Sequence, residues 1–586
     1  MMLFFNSIAV LMVILHSITI FAFDLGNGLY ESRTNITVAA NLALDVRDIV
    51  NYQNATNGGI EKSRDIYLNG NHSDISLHEL SSKAKFDMDG EPWFMLYRYG
   101  TEDLLRLEPD YSADGYNDTV IPGEGDYADT IVMKYLENDS IDWNSLADEG
   151  IVFLNVWMYV LHMLESSVRS CQSTDFNKAK EYVDYAAAYY IGADQNASNI
   201  ELSHLNGHML YSKFQALGNE FGTIRNNKMA NVNHRILFQI LPGMIHSIEI
   251  SKCEHHDDYK SLRHFINQAV QQMTIPLMQG LMKGLTLGNA PLASLFATSL
   301  IPQLEVCGNA AHIKYLREHL VDLNVEMNVM EVDALQISSI VQILQHSYPC
   351  LGLTCSEVGS KFDVGDGSDC EEIFDESLGI DGYEIWSNDD KEDVLEHSLV
   401  DLDINLVNIL LKMNAIEAAK DVYLFGVHTH ETKYSSPGHN RYTSLQIIST
   451  DSDRFAIPLY TVFKDYYGDL DYSHNQVLNL LEPNKNEQFE GLSRYQRAAA
   501  VSILLKSIVF MRVLQGIRTA ANVCTSINDY DLKMPNIWDK SVAYYVGWAE
   551  SSLRGLLNQQ CDFFNSCISL NKAETDSDVL YLFRKG

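Results

Sequence analysis

Positive charge is what this chain most lacks. Its 586 residues carry 42 Lys and Arg against 78 Asp and Glu, a formal net charge of −36. A surface that acidic repels nucleic acid and anionic lipid, which sets a nucleic-acid partner aside. It favours solubility and gathers cations, but a plain solvated surface is the better account, and charge alone establishes no metal binding. Catalytic signatures are also missing. There is no H-E-x-x-H zinc helix, no G-x-S-x-G elbow, no phosphate-binding Gly-Lys-Ser/Thr loop and no Gly-rich dinucleotide turn after a strand. A carboxylate pair for glycoside hydrolysis stays open, because its spacing is spatial and no sequence feature singles one out. The absence of any Cys-x-x-Cys pair argues against a structural zinc or thioredoxin-like centre. Alternation of period two is scarce, so the expected architecture is all-α or helix-dominated.

What is present points to export. Residues 3–23 read LFFNSIAVLMVILHSITIFAF before the chain turns polar at Asp24. This is the apolar core of a secretory signal over 1–23, with Ala22 as the cleavage residue. No Lys or Arg precedes it, and the run is long enough to span a bilayer, so an uncleaved anchor is the alternative. No other run is expected to span. Six Asn-x-Ser/Thr sequons, at Asn35, Asn54, Asn71, Asn117, Asn138 and Asn196, mark candidate glycosylated positions. Nine cysteines follow the signal, and an oxidising compartment would bridge most of them and leave one over. Cys350 with Cys355, and Cys561 with Cys567, are the close pairs.

An internal duplication organises the chain. Residues 60–73 (IEKSRDIYLNGNHS) match residues 416–429 (IEAAKDVYLFGVHT) at Ile60/Ile416, Glu61/Glu417, Asp65/Asp421, Tyr67/Tyr423, Leu68/Leu424, Gly70/Gly426 and His72/His428. Residues 184–192 (DYAAAYYIG) match 539–547 (DKSVAYYVG) at Asp184/Asp539, Ala188/Ala543, Tyr189/Tyr544, Tyr190/Tyr545 and Gly192/Gly547. The two offsets agree to within one residue. The expected order is a signal at 1–23, a first repeat at 24–200, a helical segment at 201–356 packed with it, an acidic linker at 357–394, a second repeat at 395–575 and a tail at 576–586. Residues 151–168 are apolar nearly all round, the mark of a buried helix. Residues 265–287 follow helical spacing, with Pro276 placed to kink or divide that helix. Asp363, Asp366 and Asp369 in the linker do not match the spacing of an EF-hand loop.

Three sets of residues could hold a metal. In Gly426-Val427-His428-Thr429-His430-Glu431, His428 and Glu431 would share a helix face, and imidazole with carboxylate suits a transition metal. The first copy keeps His72 but has Ile75 where Glu431 stands. Tyr67 and Tyr423 lie in the same turns, two residues after Asp65 and Asp421. In the second match, Asp184 with Tyr189 and Asp539 with Tyr544 offer the oxygen donors that Fe(III) prefers. Each set also has a structural reading: a polar turn capping a helix with Gly as its C-cap, and aromatic pairs packed between helices.

These turns, with FLNVWMYV (153–160), YVDYAAAYYIG (182–192), MTIPLMQGL (273–281), PCLGLTCSEVG (349–359) and DYYGDLDY (465–472), resemble low-iron-inducible periplasmic iron-assimilation proteins and phytotransferrins. These are secreted algal and diatom-type proteins, and the likeness covers most of residues 55–550. The Gly-x-His-x-x-Glu pattern is also similar to the metal motif of imelysin-like iron-uptake proteins. The resemblance implies a secreted, periplasmic or cell-surface protein that binds Fe(III), with carbonate as the synergistic anion, and retained at the surface through a cell-surface or membrane partner or the N-terminal segment. Three functions stay open: a non-enzymatic iron binder, a glycosylated surface scaffold or a secreted hydrolase.

Overall fold

The computed structural model describes residues 23–53, 59–81, 91–94, 96–97, 128–137, 146–254, 259–307, 310–321, 334–359, 383, 385–386, 394, 397–429, 444–451, 457–482, 491–525, 533–548, 552–561, 566–569 and 572–585. The fold is helix-dominated, as the sequence pattern indicates. Its only sheets among the described residues are two short antiparallel ladders. One joins β1 (Phe23–Leu25) to β2 (Tyr30–Ser32), the other β3 (Cys567–Ser569) to β4 (Lys572–Ala573). The chain forms two compact units. The first holds the described residues within 23–81, 131–219 and 224–269, and the second those within 82–130, 220–223 and 270–585.

The first unit is built on two helix pairs. α1 (Leu42–Gln53) packs on α2 (Gly59–Asn69), and α3 (Trp157–Gln172) packs on α4 (Phe176–Ile191). A short connection forces the second pair to run antiparallel. Asp175 caps α4 by accepting the Lys178 N–H, and Gly192 ends it at φ 83°. A β-carbon on Gly192 would meet Ala43 Cβ at 2.6 Å, so glycine is needed there for close approach as well as for backbone sign. α3 follows one π-helical segment, Ile151–Val156, and almost all of its side chains are buried. At about 1.5–3 kcal/mol for each large apolar side chain removed from water, this stretch is the main apolar anchor of the unit.

The second unit also contains two packed helix pairs. α7 (Val400–Lys412) packs on α8 (Ile416–Phe425), and α12 (Arg494–Thr525) packs on α13 (Lys533–Val546). Between the pairs lie α9 (Leu445–Thr450), α10 (Pro458–Tyr467) and α11 (Tyr472–Leu481), and α14 (Glu574–Lys585) closes the chain. The unit also holds α6 (Ala290–Leu304). The chain passes from one unit to the other within α5 (Lys260–Thr286), which continues through Pro276.

Several expectations are corrected. The segment 201–356 does not go whole with the first repeat, because the division falls inside α5. The end of the expected linker belongs to the second unit's core: Tyr383 is buried and bonds to α13. The expected tail is helix α14, and its Asp576 is fully buried between the Tyr545 hydroxyl and the Arg554 guanidinium. Cys350 bonds to Cys307 rather than Cys355, whereas Cys171–Cys253 and Cys561–Cys567 are the other described bridges. Cys355 is disulfide-bonded too, and Cys524 is free and exposed. Three described helical stretches are long and apolar enough to cross a membrane, where none was expected: Ala147–Gln172, Ala290–Cys307 and Arg494–Cys524. The first is wholly buried within the protein, so its apolarity serves the core. Asp363, Asp366 and Asp369 lie outside the described residues.

Candidate functional site

The duplicated residues settle into separate networks. Asp184 on α4 is fully buried and accepts four hydrogen bonds: from the Tyr30 hydroxyl at 2.7 Å, the Arg33 N–H at 2.8 Å, the Thr34 N–H at 2.9 Å and the Thr34 hydroxyl at 3.0 Å. It anchors the β2 end of the unit. Asp539 on α13 does the same work, accepting from the Tyr383 hydroxyl at 2.7 Å and the Trp386 N–H at 3.0 Å. Burial and then the adjacent carboxylate push the Tyr30 phenol far above its ordinary value. Burial and hydrogen bonding to Asp539 do so for Tyr383.

The Gly-x-His turns are held by a second pair of buried acids. Asp45 on α1 accepts the Asn71 and His72 N–H groups at 3.0 and 2.8 Å and the Ser73 hydroxyl at 2.6 Å. Asp403 on α7 accepts the His428 N–H and the Thr429 hydroxyl at 2.9 and 2.5 Å, and His428 Nδ1 lies 2.9 Å from it. Burial raises the Asp403 carboxyl, but the bonds from His428 and Thr429 outweigh this and leave it below the usual range. In the first copy the imidazole turns outward instead, and His72 Nε2 lies 2.8 Å from Asp48. Tyr67 and Tyr423 are fully buried. The Tyr67 hydroxyl accepts from Asn155 at 3.1 Å, while that of Tyr423 lies 2.9 Å from Ser449 Oγ and 2.8 Å from His474 Nδ1. Asp65 is exposed and accepts from Asn69, and Asp421 is half-buried on α8. His430 and Glu431 lie outside the described residues.

Tyr189 differs from these. Its ring meets Tyr159 edge to face, centroids 4.9 Å apart, and Tyr159 in turn meets His162 at 5.4 Å. Tyr159, His162, Glu165 and Arg169 recur along one face of α3, and the first three are buried. Glu165 is ion-paired with Arg263, and Arg169 bonds Ser166 at 3.0 Å with His162 Nδ1 at 3.5 Å. Two phenols, an imidazole, a carboxylate and two guanidinium groups thus line up beside one helix of the first unit. Burial, then the neighbouring phenols Tyr159 and Tyr185, raise the Tyr189 phenol far above its ordinary value. Tyr190, the next residue, points elsewhere and donates to Asn233 at 2.6 Å.

The second copy does not reproduce this face. Tyr544 meets His397 at 5.1 Å and the Arg512 guanidinium at 5.9 Å, with Arg512 held by Asp451 at 2.7 Å. Aligning Cys171 with Cys524 puts Arg512, Gln515 and Arg518 where α3 has Tyr159, His162 and Glu165. Sequence reasoning read α3 only as apolar, although the three-residue spacing of its polar residues was visible there. It also missed Asp45 and Asp403, which sit at matching places in LALDV and VDLDI. Among the described residues no three His, Cys, Asp or Glu side chains are grouped to hold a metal. No protein-family model, curated protein or solved structure matches the chain.

Proposed function

We propose that this is an exported, non-enzymatic Fe(III)-binding protein whose metal-holding residues lie in the first unit, on α3 and α4. The observation that carries the reading is the contact of Tyr189 with Tyr159, and of Tyr159 with His162, on a buried face that continues to Glu165. Phenolate, carboxylate and imidazole are donors that trivalent iron takes, and the two phenols would lose their protons to solvent on binding it. Arg169 and Arg263 supply positive charge for the carboxylate and for a synergistic anion such as carbonate. The disulfides support an oxidising compartment. Resemblance to the algal iron-assimilation proteins points the same way.

The test is optical. Adding ferric nitrilotriacetate and bicarbonate should give a visible phenolate-to-iron charge-transfer band that survives desalting. Tyr159→Phe and Tyr189→Phe should each abolish or shift it. A colourless protein that retains no iron would favour the second reading, a glycosylated surface scaffold. That reading draws support from the duplicated aspartates, whose oxygens are engaged in holding the fold.

A further inference from the structure

The first turn of α12 carries two arginines where a helix favours acids. Ser493 fixes its start: the Ser493 N–H donates to Gln496 Oε1 at 3.0 Å, and the Gln496 N–H donates to Ser493 Oγ at 3.3 Å. Arg494 and Arg497 follow, three positions apart and so on one face. The partial positive charge of a helix N-terminus disfavours cations placed there. The sequence around them supplies no counter-charge, because residues 491–528 contain no Asp or Glu.

Arg497 is also buried, with 6% of its surface exposed. The Nε atoms of both arginines are buried, and neither has a hydrogen-bond partner. α9 and α11 pack on α12, but the acids that follow them are engaged elsewhere: Asp451 with Arg512, and Glu482 with Lys420. Half-buried Arg494 has the Tyr495 ring 5.0 Å away, a contact that leaves its N–H groups free to donate. Burial lowers the proton affinity of Arg497, and no neighbouring charge opposes it. A guanidinium nonetheless keeps its proton inside a protein. A buried charge of this kind is costly until a counter-charge meets it. The side chain of Arg497 leans back over the first turn, as helical side chains do, and so toward Arg494 and the helix start.

We propose that Arg494 and Arg497 form a binding site for a small oxyanion of the phosphate or sulfate type. Guanidinium forks match such ions with paired N–H···O bonds, and the helix N-terminus adds its dipole. The burial of Arg497 admits a free ion rather than a phosphate carried on a nucleic acid or a lipid. The site belongs to the second unit and does not depend on Tyr159 or Tyr189. The test is equilibrium dialysis of the iron-free full chain against radiolabelled inorganic phosphate, with ionic strength held constant by chloride. Uptake should saturate, and sulfate should displace it. Arg497→Met and Arg494→Gln should each weaken it by about tenfold or more, with unchanged circular dichroism. Arg497→Lys, which keeps the charge but not the fork, should weaken it less than Arg497→Met. Tyr189→Phe should leave it unchanged. Thermal unfolding gives a second readout. Phosphate salts stabilise proteins in general by exclusion from their surface, so the specific part is a rise in the wild-type midpoint that saturates. Arg497→Met should lose that part and should unfold no earlier than the wild type in phosphate-free buffer, because it removes an unmatched buried charge. No saturable uptake by the wild type would overturn the proposal, as would equal uptake by Arg497→Met. An Arg497→Met protein that unfolds earlier by the same amount with and without phosphate would overturn it in favour of a packing role.

Discussion

Tyr30 and Asp184 are 154 residues apart in sequence and 2.7 Å apart in the structure. Tyr383 and Asp539 stand 156 residues apart and meet at the same distance. In each unit one buried carboxylate on a helix of the second pair holds a segment from far earlier in the chain.

Removing that charge should loosen the unit. Asp184→Asn keeps one acceptor oxygen but points an N–H₂ at groups that donate, leaving buried donors unmatched. The expected loss is about 2 kcal/mol or more, read from the midpoint of denaturant unfolding. Tyr30→Phe removes one bond and should lose about 1 kcal/mol. If Asp184→Asn unfolds at the wild-type midpoint, the anchoring role is refuted.

Alkaline unfolding should depend on these same phenols. An unfolded tyrosine ionises near 10.0, whereas Tyr30 and Tyr383 are raised well above that in the folded protein. Their contribution is therefore complete below pH 10 and is lost as pH rises toward the folded value. Stability measured between pH 9 and pH 11 should fall less steeply in Tyr30→Phe than in the wild type.

Asp403 works in the opposite direction. Its folded pKa lies below the unfolded 3.8, because the bonds from His428 and Thr429 outweigh burial. The stability it contributes is present above 3.8 and disappears as pH falls through the lower folded value. Asp403→Asn should lower stability at neutral pH and flatten the acid limb of the unfolding curve.

The two turn glycines should respond unequally. Both Gly70 and Gly426 have positive φ, so alanine is strained at either. At Gly70 a β-carbon would find its nearest neighbour at 3.5 Å, but at Gly426 it would lie 2.5 Å from Thr429 Oγ1 and 3.2 Å from Asp403. Gly70→Ala should lose about 1 kcal/mol and Gly426→Ala about 2 kcal/mol or more. Equal midpoint shifts would mean that the Asp403 bonds rearrange freely.

Iron retention and fold stability should separate by position. Tyr189→Phe should lower the charge-transfer absorbance and leave the unfolding midpoint within about 1 kcal/mol of wild type. His428→Gln should leave the absorbance intact while lowering the midpoint, because it removes a partner of Asp403. The reverse pattern would return the metal to the Gly-x-His turn.

Much of this protein could be read along the chain. The helical class followed from spacing and from the scarcity of alternation, since periodicity is a local property of a backbone. The matched stretches around Tyr67 and Tyr423, and around Asp184 and Asp539, were legible because identical residues recurred at offsets that agree to within one residue. The leftover cysteine was visible in the odd count, although Cys524 could not be named. What those matched residues do was decided only in three dimensions. A carboxylate is an acceptor whether it faces a metal or a backbone N–H, and only the arrival of Thr34, Tyr30 and Arg33 from the far end of the repeat assigned Asp184 to the fold. For the same reason Tyr159 and His162 stood in plain sight on an apolar helix without meaning. The contact of Tyr159 with Tyr189 exists because α3 and α4 pack together, and no spacing within either helix contains that information.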